Sequence, residues 1–208
     1  MKTDPASFSD NFITEDINQQ AARARGIEIG TYDCTPGSGA FLKYLAELIS
    51  AQAIVEIGTG SGVGTLWLTK GMINSGVITT IDEEIQHTQI AKEAMLDADI
   101  SPSNYRLITN SPLEVMRKLA DRAYDLVVIR SNSEDILDLI DETHRILRTG
   151  GVLAIDRYFG GGKVSDPAQR DEKSVALRDA GKSLRMNSEI WSITLNPIGD
   201  GVLAATKL

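Results

Sequence analysis

Strand-length apolar stretches alternate with helix-length amphipathic stretches along most of this chain, and the last two strands follow each other with no helix between them. Residues 53–57, 77–81, 106–109, 124–129 and 152–155 read as strands. Residues 38–49, 63–72, 83–98, 112–119 and 134–147 read as helices, with a charged helix over 168–185. In the first of these, Phe41, Leu45 and Leu48 recur at the spacing of one helical face. Gly150 and Gly151 are expected to end the 134–147 helix, and Pro112 suits the first turn of its own. Strands that alternate with helices form a parallel sheet covered on both faces. Residues 189–195 and 202–207 are joined by the turn Asn196-Pro197-Ile198-Gly199-Asp200-Gly201, so they pair antiparallel. The expected fold is therefore α/β: a doubly wound, mostly parallel seven-stranded sheet with an antiparallel hairpin at its end. All 208 residues are expected to form one domain. Residues 1–35 are polar and irregular, with a helix expected over 14–25 capped by Thr14. They would serve as a cap, substrate or dimer segment.

Composition narrows the chemistry. One cysteine cannot form an internal disulfide, and two histidines with one cysteine cannot build a four-ligand His/Cys zinc site. A chain of this length buries roughly 70% of its unfolded surface and needs no such staple. The net charge of -8 argues against a nucleic-acid backbone partner, because phosphate contacts require a basic face. No apolar run approaches the ~20 residues that span a bilayer, and no export segment is visible. A cytoplasmic location is expected.

The richest motif lies where the first strand meets its helix: Glu56-Ile57-Gly58-Thr59-Gly60-Ser61-Gly62-Val63-Gly64. Ligands of open α/β sheets bind beyond the carboxyl ends of strands, and glycines let backbone approach them. The dinucleotide spacing Gly-x-Gly-x-x-Gly fails from either Gly58 or Gly60, which weakens a reading as an NAD-dependent dehydrogenase. No lysine occurs between Glu56 and Thr69, so the loop is not a Walker A loop either. An acidic residue before the glycines repels phosphate and attracts a cation, such as the amino group of S-adenosylmethionine. Asp82 stands at the tip of the second strand, where a carboxylate can accept ribose hydroxyls. Its competing role is to cap the helix that follows.

This acidic glycine motif with an acidic strand tip resembles the class I S-adenosylmethionine-dependent methyltransferases. The run Gly150-Gly151-Val152-Leu153-Ala154-Ile155-Asp156, then Gly162-Lys163-Val164, Asp166-Pro167, Arg170-Asp171-Glu172 and the turn Pro197-Ile198-Gly199-Asp200-Gly201, is similar to the caffeoyl-CoA and catechol O-methyltransferase family, particularly its bacterial members. The likeness runs from about Gly30 onward. It implies S-adenosylmethionine as cofactor, a small hydroxylated and aromatic acceptor, and a homodimer. It also implies cofactor contacts from Thr35, Glu56, Gly58, Thr59, Gly60, Gly62, Thr65, Asp82, Asn110, Ser111, Pro112 and Arg130. Cys34 falls beside the methionine end of that pattern, with a plain buried thiol as the alternative. A serine is usual in the family where Gly64 stands.

The pattern departs from the family at its metal site. The family holds a divalent cation through an Asp after the fourth strand and an Asp-Asn pair after the fifth, with a Lys near the first Asp. Here those positions carry Arg130, Asp156, Arg157 and Ser133, and Asn132 stands where many members carry a further Asp. A guanidinium has no lone pair to offer a metal. No family-type metal is therefore expected. Arg130 and Arg157 would supply positive charge to a phenolate or carboxylate, and Asp156 would hold an arginine or take the substrate proton. An inert ion pair in a decayed site is the opposing expectation, and it leads to the alternative function: a non-catalytic S-adenosylmethionine-binding sensor or scaffold. Tyr158, Phe159 and the Gly160–Gly162 run are candidates to shape the acceptor pocket. His87 and His144 are given no catalytic role. His144 is expected to meet its helix dipole.

Overall fold

A computed structural model describes residues 4–130 and 135–208. Ser131, Asn132 and Ser133 lie outside the described residues. Seven strands form one sheet: β1 (Ala53–Ile57), β2 (Val77–Asp82), β3 (Tyr105–Thr109), β4 (Tyr124–Ile129), β5 (Leu147–Asp156), β6 (Trp191–Asn196) and β7 (Val202–Lys207). Their order across the sheet is β3-β2-β1-β4-β5-β7-β6. The first five are parallel, and β7 pairs antiparallel with both β5 and β6. The order reverses beside β1, and that is where open sheets of this kind form a crevice.

Eight helices accompany the sheet among the described residues: α1 (Pro5–Asp10), α2 (Ile17–Ile29), α3 (Pro36–Leu48), α4 (Val63–Gly71), α5 (Ile85–Asp97), α6 (Pro112–Met116), α7 (Ile136–Ile146) and α8 (Glu172–Met186). Alternation along the strands divides the core. Val55, Ile57, Val127, Ile129, Leu153 and Ile155 face α6, α7 and α8. Ile54, Leu126, Val128, Val152 and Ala154 face α3 and α4. Trp67 and Leu66 of α4 join Ala22 of α2 and Ala94 and Met95 of α5 in a third cluster. Gly39 lets α3 lie directly on Trp67, since a Cβ there would come within 2.3 Å of the indole.

Several boundaries differ from the sequence reading, each for a local reason. Thr14 does not cap the second helix. Asp16 does, accepting the N–H groups of Asn18 and Gln19 while the Gln19 side chain returns to the Asp16 N–H. That reciprocal capping box outcompetes a lone threonine. The 134–147 helix stops at Ile146, before the glycines. β5 begins at Leu147 and carries Gly150, at φ 76°, inside an irregularity opposite Tyr124 and Leu126. The charged helix starts at Glu172 because Asp171 accepts the Ser174 N–H. The expected dipole partner His144 packs edge-on to Trp191, with centroids 5.6 Å apart. Lys207 serves the end of α7 instead, donating to the carbonyls of His144 and Leu147 at 2.6 and 2.8 Å.

Candidate active site

The carboxyl ends of β1, β2 and β4 open into a cleft of about 820 Å³, counting its open mouth. Gly58, Gly60, Asp82, Pro112, Arg130 and Arg157 are in its lining, and so are Tyr32, Asp33 and His87. The glycine loop turns because Gly58, Gly60 and Gly62 take φ values of 89°, 55° and 89°, which side-chain-bearing residues rarely adopt.

Asp82 joins the loop to the second strand. Its carboxylate accepts from the Gly60 N–H, the Glu84 N–H and His87 Nδ1, each at 3.0 Å. Asp82 thus supports the turn into α5 and also faces the cleft. A carboxylate offers about four acceptor positions, so capacity for a ligand hydroxyl remains. Pro112 forms part of the opposite wall, at the first turn of α6. Asn110 is exposed and turns its Oδ1 to the Ser111 N–H, and neither residue lines the cleft.

The other candidate residues lie beneath the loop. Glu56 is fully buried, and it does not face a ligand amine. Its Oε2 accepts from Thr65 Oγ1 at 2.5 Å and from Thr80 Oγ1 at 2.6 Å. Its Oε1 pairs with Arg130 Nη2 at 2.7 Å. The cation that Glu56 attracts is thus part of the protein. Burial pushes its carboxyl up, against the opposing pull of Arg130 and the two hydroxyls. Burial works against the Arg130 charge, but Glu56 together with the neighbouring Cys34, Asp156 and Asp33 more than offsets it and keeps the guanidinium protonated. Thr59 is buried and bonded to Thr80 at 2.7 Å, and Gly62 packs on Ala91. Thr35 caps α3 through the Ser38 N–H and donates to Asp10, outside the cleft. Cys34 is a buried thiol pushed up to about 12 by burial.

The two arginines take different roles, contrary to the expectation that both face an acceptor. Arg130 is only 8% exposed. Besides Glu56, its Nη2 donates to the Gly58 carbonyl at 2.6 Å, so it pins the glycine loop from below. It fits because residue 64 is glycine: a Cβ there would lie 1.7 Å from Nη1. A serine at position 64 would therefore exclude Arg130 from this position. Arg157 stands at the mouth, in a left-handed backbone conformation at φ 59°. Its guanidinium lies 5.0 Å over the ring of Tyr32, which is 77% exposed. Arg157 makes no ion pair within 4 Å among the described residues.

Asp156 is the last residue of β5, and Arg130 follows the last residue of β4. The register Ile129↔Ile155, continued by one residue, sets the two side by side. Asp156 is 4% exposed, with the Arg157 backbone N–H and the Ser38 side chain beside its carboxylate. It is absent from the cleft lining and makes no direct pair with either arginine. Burial pushes its carboxyl up, with Arg130 pulling it back. These residues do not fit the family's divalent cation: a guanidinium fills the first ligand position and one carboxylate remains. Among the described residues, no group of three His, Cys, Asp or Glu side chains is placed to hold a metal.

Tyr158 and Phe159 are not in the lining of the cleft. The Tyr158 hydroxyl sits against Gly181 in the core, and Phe159 packs on Gly201. Sequence reading missed Asp33 and His87. Asp33 accepts from the Ser61 N–H at 3.0 Å and Ser61 Oγ at 2.7 Å, across 28 residues, and nothing local announces that contact. His87 had a signal: it falls in the first turn of the helix that follows the strand-tip acid.

The sequence model of one family, described as O-methyltransferase, matches residues 5–208. A Mycobacterium marinum protein named as an O-methyltransferase is 43% identical over 202 residues, covering 97% of this chain and 90% of its own. A Mycobacterium avium O-methyltransferase is 45% identical over 195 residues, covering 94% and 87%. Among solved structures, a Corynebacterium glutamicum protein superposes with a TM-score of 0.88 at 27% identity, covering 97% and 94%. The O-methyltransferase TomG of Streptomyces achromogenes, involved in tomaymycin synthesis and solved in complex with SAM, superposes at 0.83 with 25% identity, also covering 97% and 94%.

Proposed function

Because the chain belongs to the O-methyltransferase family, we propose that it uses S-adenosylmethionine to methylate a hydroxyl of a small aromatic acceptor, without the family's divalent metal. The observation that carries this reading is the loop itself: three positive-φ glycines close on Asp82 at the crevice of the sheet. The residues fit the cofactor. Asp82 would receive the ribose, Pro112 would border the base, and Gly58 and Gly60 would lie along the rest.

S-adenosylmethionine, when bound, supplies a methyl group on a positively charged sulfur. The chain's own residues then need to align an acceptor oxygen and favour its anionic form. Alignment alone is a large contribution to such bimolecular steps. Glu56 balances the charge of Arg130, so Arg157 supplies the uncompensated positive charge at the mouth. A guanidinium there favours a phenolate over a phenol and suits a second anionic group on the acceptor. The Tyr32 ring offers a face for the aromatic part. Asp156 is buried behind Arg130 and acts on the site through charge.

A methyl-transfer screen of phenols, catechols and carboxylated aromatics, with and without chelator, tests this. Activity is expected to persist in chelator, and Arg157→Ala is expected to lower kcat/KM for carboxylated phenols by about tenfold or more. Activity that appears only with added magnesium would overturn the metal-free reading. Silence across the panel with tight cofactor binding would favour a sensor or scaffold.

The homodimer implied by family resemblance has a candidate face. Phe41, Leu45 and Leu48 of α3 and Ile193 of β6 border an apolar groove of about 640 Å³ on the sheet. Leu48 and nearby Tyr44 are 64% and 55% exposed. Sedimentation velocity is expected to show a dimer that Leu48→Lys converts to monomer. A wild-type monomer at micromolar concentration rules this face out.

A further inference from the structure

Arg157 carries the charge assigned to the acceptor on a backbone that an L residue disfavours. At φ 59° it is left-handed, and a side-chain-bearing residue persists there only where its surroundings hold it. The residues that follow supply no stiffness of their own. Gly160, Gly161 and Gly162 take φ values of 58°, 68° and 85°, and glycine is free to leave such conformations as readily as to adopt them. The restraint comes from the turn between β6 and β7. The Gly201 carbonyl accepts the Tyr158 N–H at 2.9 Å, and the Asp200 carbonyl accepts the Phe159 N–H at 2.8 Å. The Asp200 carboxylate accepts the Gly161 N–H, at 3.0 Å to Oδ1 and 2.8 Å to Oδ2. The chain directly after Arg157 is thus fastened at three successive points, and the last bond is charge-assisted. The turn is itself wedged: a Cβ on Gly199 would lie 2.5 Å from Thr35 Oγ1, and one on Gly201 would lie 2.7 Å from the Phe159 ring.

We propose that Asp200 is a positioning residue for methyl transfer: by fixing the Gly161 N–H it sets the loop after β5, and so sets where the Arg157 guanidinium stands at the mouth of the cleft. The proposal rests on the reading of Arg157 given above and deepens it. Asp200 is not in the cleft lining, so it acts through Arg157 and not on the acceptor. At its far end the guanidinium is placed by uncharged partners alone, the Tyr32 ring and, at 3.4 Å, the Tyr32 carbonyl. Neither is strong enough to correct a misdirected backbone. A long side chain magnifies rotation at its own Cα, and a displacement of about 1 Å in an aligning group can cost up to about 100-fold in rate. The two backbone carbonyl bonds survive replacement of the Asp200 side chain. Asp200→Ala therefore removes one fastening of three, which loosens the loop and leaves the sheet intact.

A double-mutant cycle tests this on the preference for an anionic acceptor, read as the ratio of kcat/KM for 3,4-dihydroxybenzoate to that for catechol. Arg157→Ala should lower the ratio about tenfold, and Asp200→Ala should lower it about fivefold or more. In the Arg157→Ala background, Asp200→Ala should change the ratio less than about twofold, because a residue that acts through Arg157 then has nothing to act on. Equal loss in both backgrounds would make Asp200 a general support and overturn the proposal. Asp200→Asn keeps an oxygen for the Gly161 N–H and should retain most of the ratio. Hydrogen exchange gives a reading independent of turnover: the amides of residues 158–161 should exchange about fivefold faster or more in Asp200→Ala. Unchanged exchange there would also sink the proposal. Should Arg157→Ala leave the ratio unaltered, or wild-type protein methylate neither probe, the role given to Arg157 fails, and the proposal falls with it even if the loop exchanges faster.

Discussion

Glu56→Ala should be the most damaging single substitution in the chain, lowering unfolding free energy by about 3–5 kcal/mol, the cost of leaving a buried charge without its partner. Arg130 remains 8% exposed with a charge that no other described carboxylate touches. Thr65 and Thr80 lose their shared acceptor at the same time. Urea denaturation measures the loss directly. Glu56→Gln, which keeps an acceptor oxygen, should lose less. Joint replacement, Glu56→Leu with Arg130→Met, should recover much of the deficit, because apolar residues of similar volume often substitute for a buried pair without loss. If Glu56→Ala unfolds within about 1 kcal/mol of wild type, the pair is not the centre of the loop's support.

Asp82→Ala should give the largest loss of cofactor affinity. The carboxylate is the bridge between the Gly60 N–H and the cleft, and it orients His87 through Nδ1. Each charge-assisted hydrogen bond lost costs about 1.5–3 kcal/mol, so S-adenosylhomocysteine binding should weaken at least roughly tenfold per bond. Asp82→Asn keeps one acceptor oxygen and should fall between the two. Isothermal titration provides the readout, with a urea curve to confirm that the variant is folded. An unchanged dissociation constant would remove Asp82 from the site and leave it only its structural bonds to the Gly60 N–H, the Glu84 N–H and His87.

The strands were legible because burial on two faces makes continuous apolar runs, and Tyr124–Ile129 and Val202–Lys207 fall where the pattern put them. The place of β7 between β5 and β6 was not legible, since a hairpin pattern says that two strands pair and not which one faces the sheet. Caps were the weakest reading: Thr14 and Asp16 both suit a helix start, and only the return bond from Gln19 decides between them. In the cleft, Gly58, Gly60, Asp82 and Pro112 could be found because one short motif and one strand tip announce them. The direction of Arg130 could not. Its partner Glu56 is 74 residues away, and the room for it depends on a glycine whose other possible reason is flexibility. Asp33 escaped for the same reason, since its contact with Ser61 is made only after α2, α3 and β1 have packed.

The interposed β7 also orders events in time. β6 is synthesised before β7, yet β7 is its one sheet neighbour. Until β7 arrives, Trp191 and Ile193 have no strand to lie beside, and β5 presents an open edge with Leu153 and Ile155 on it. Such edges template association with other chains. A nascent or heat-loosened molecule is therefore most exposed at β5 and β6 together, and β7 is what closes the gap. A substitution that delays β7, such as a proline at Ala204, should show itself as aggregation during expression before it shows itself as lost catalysis.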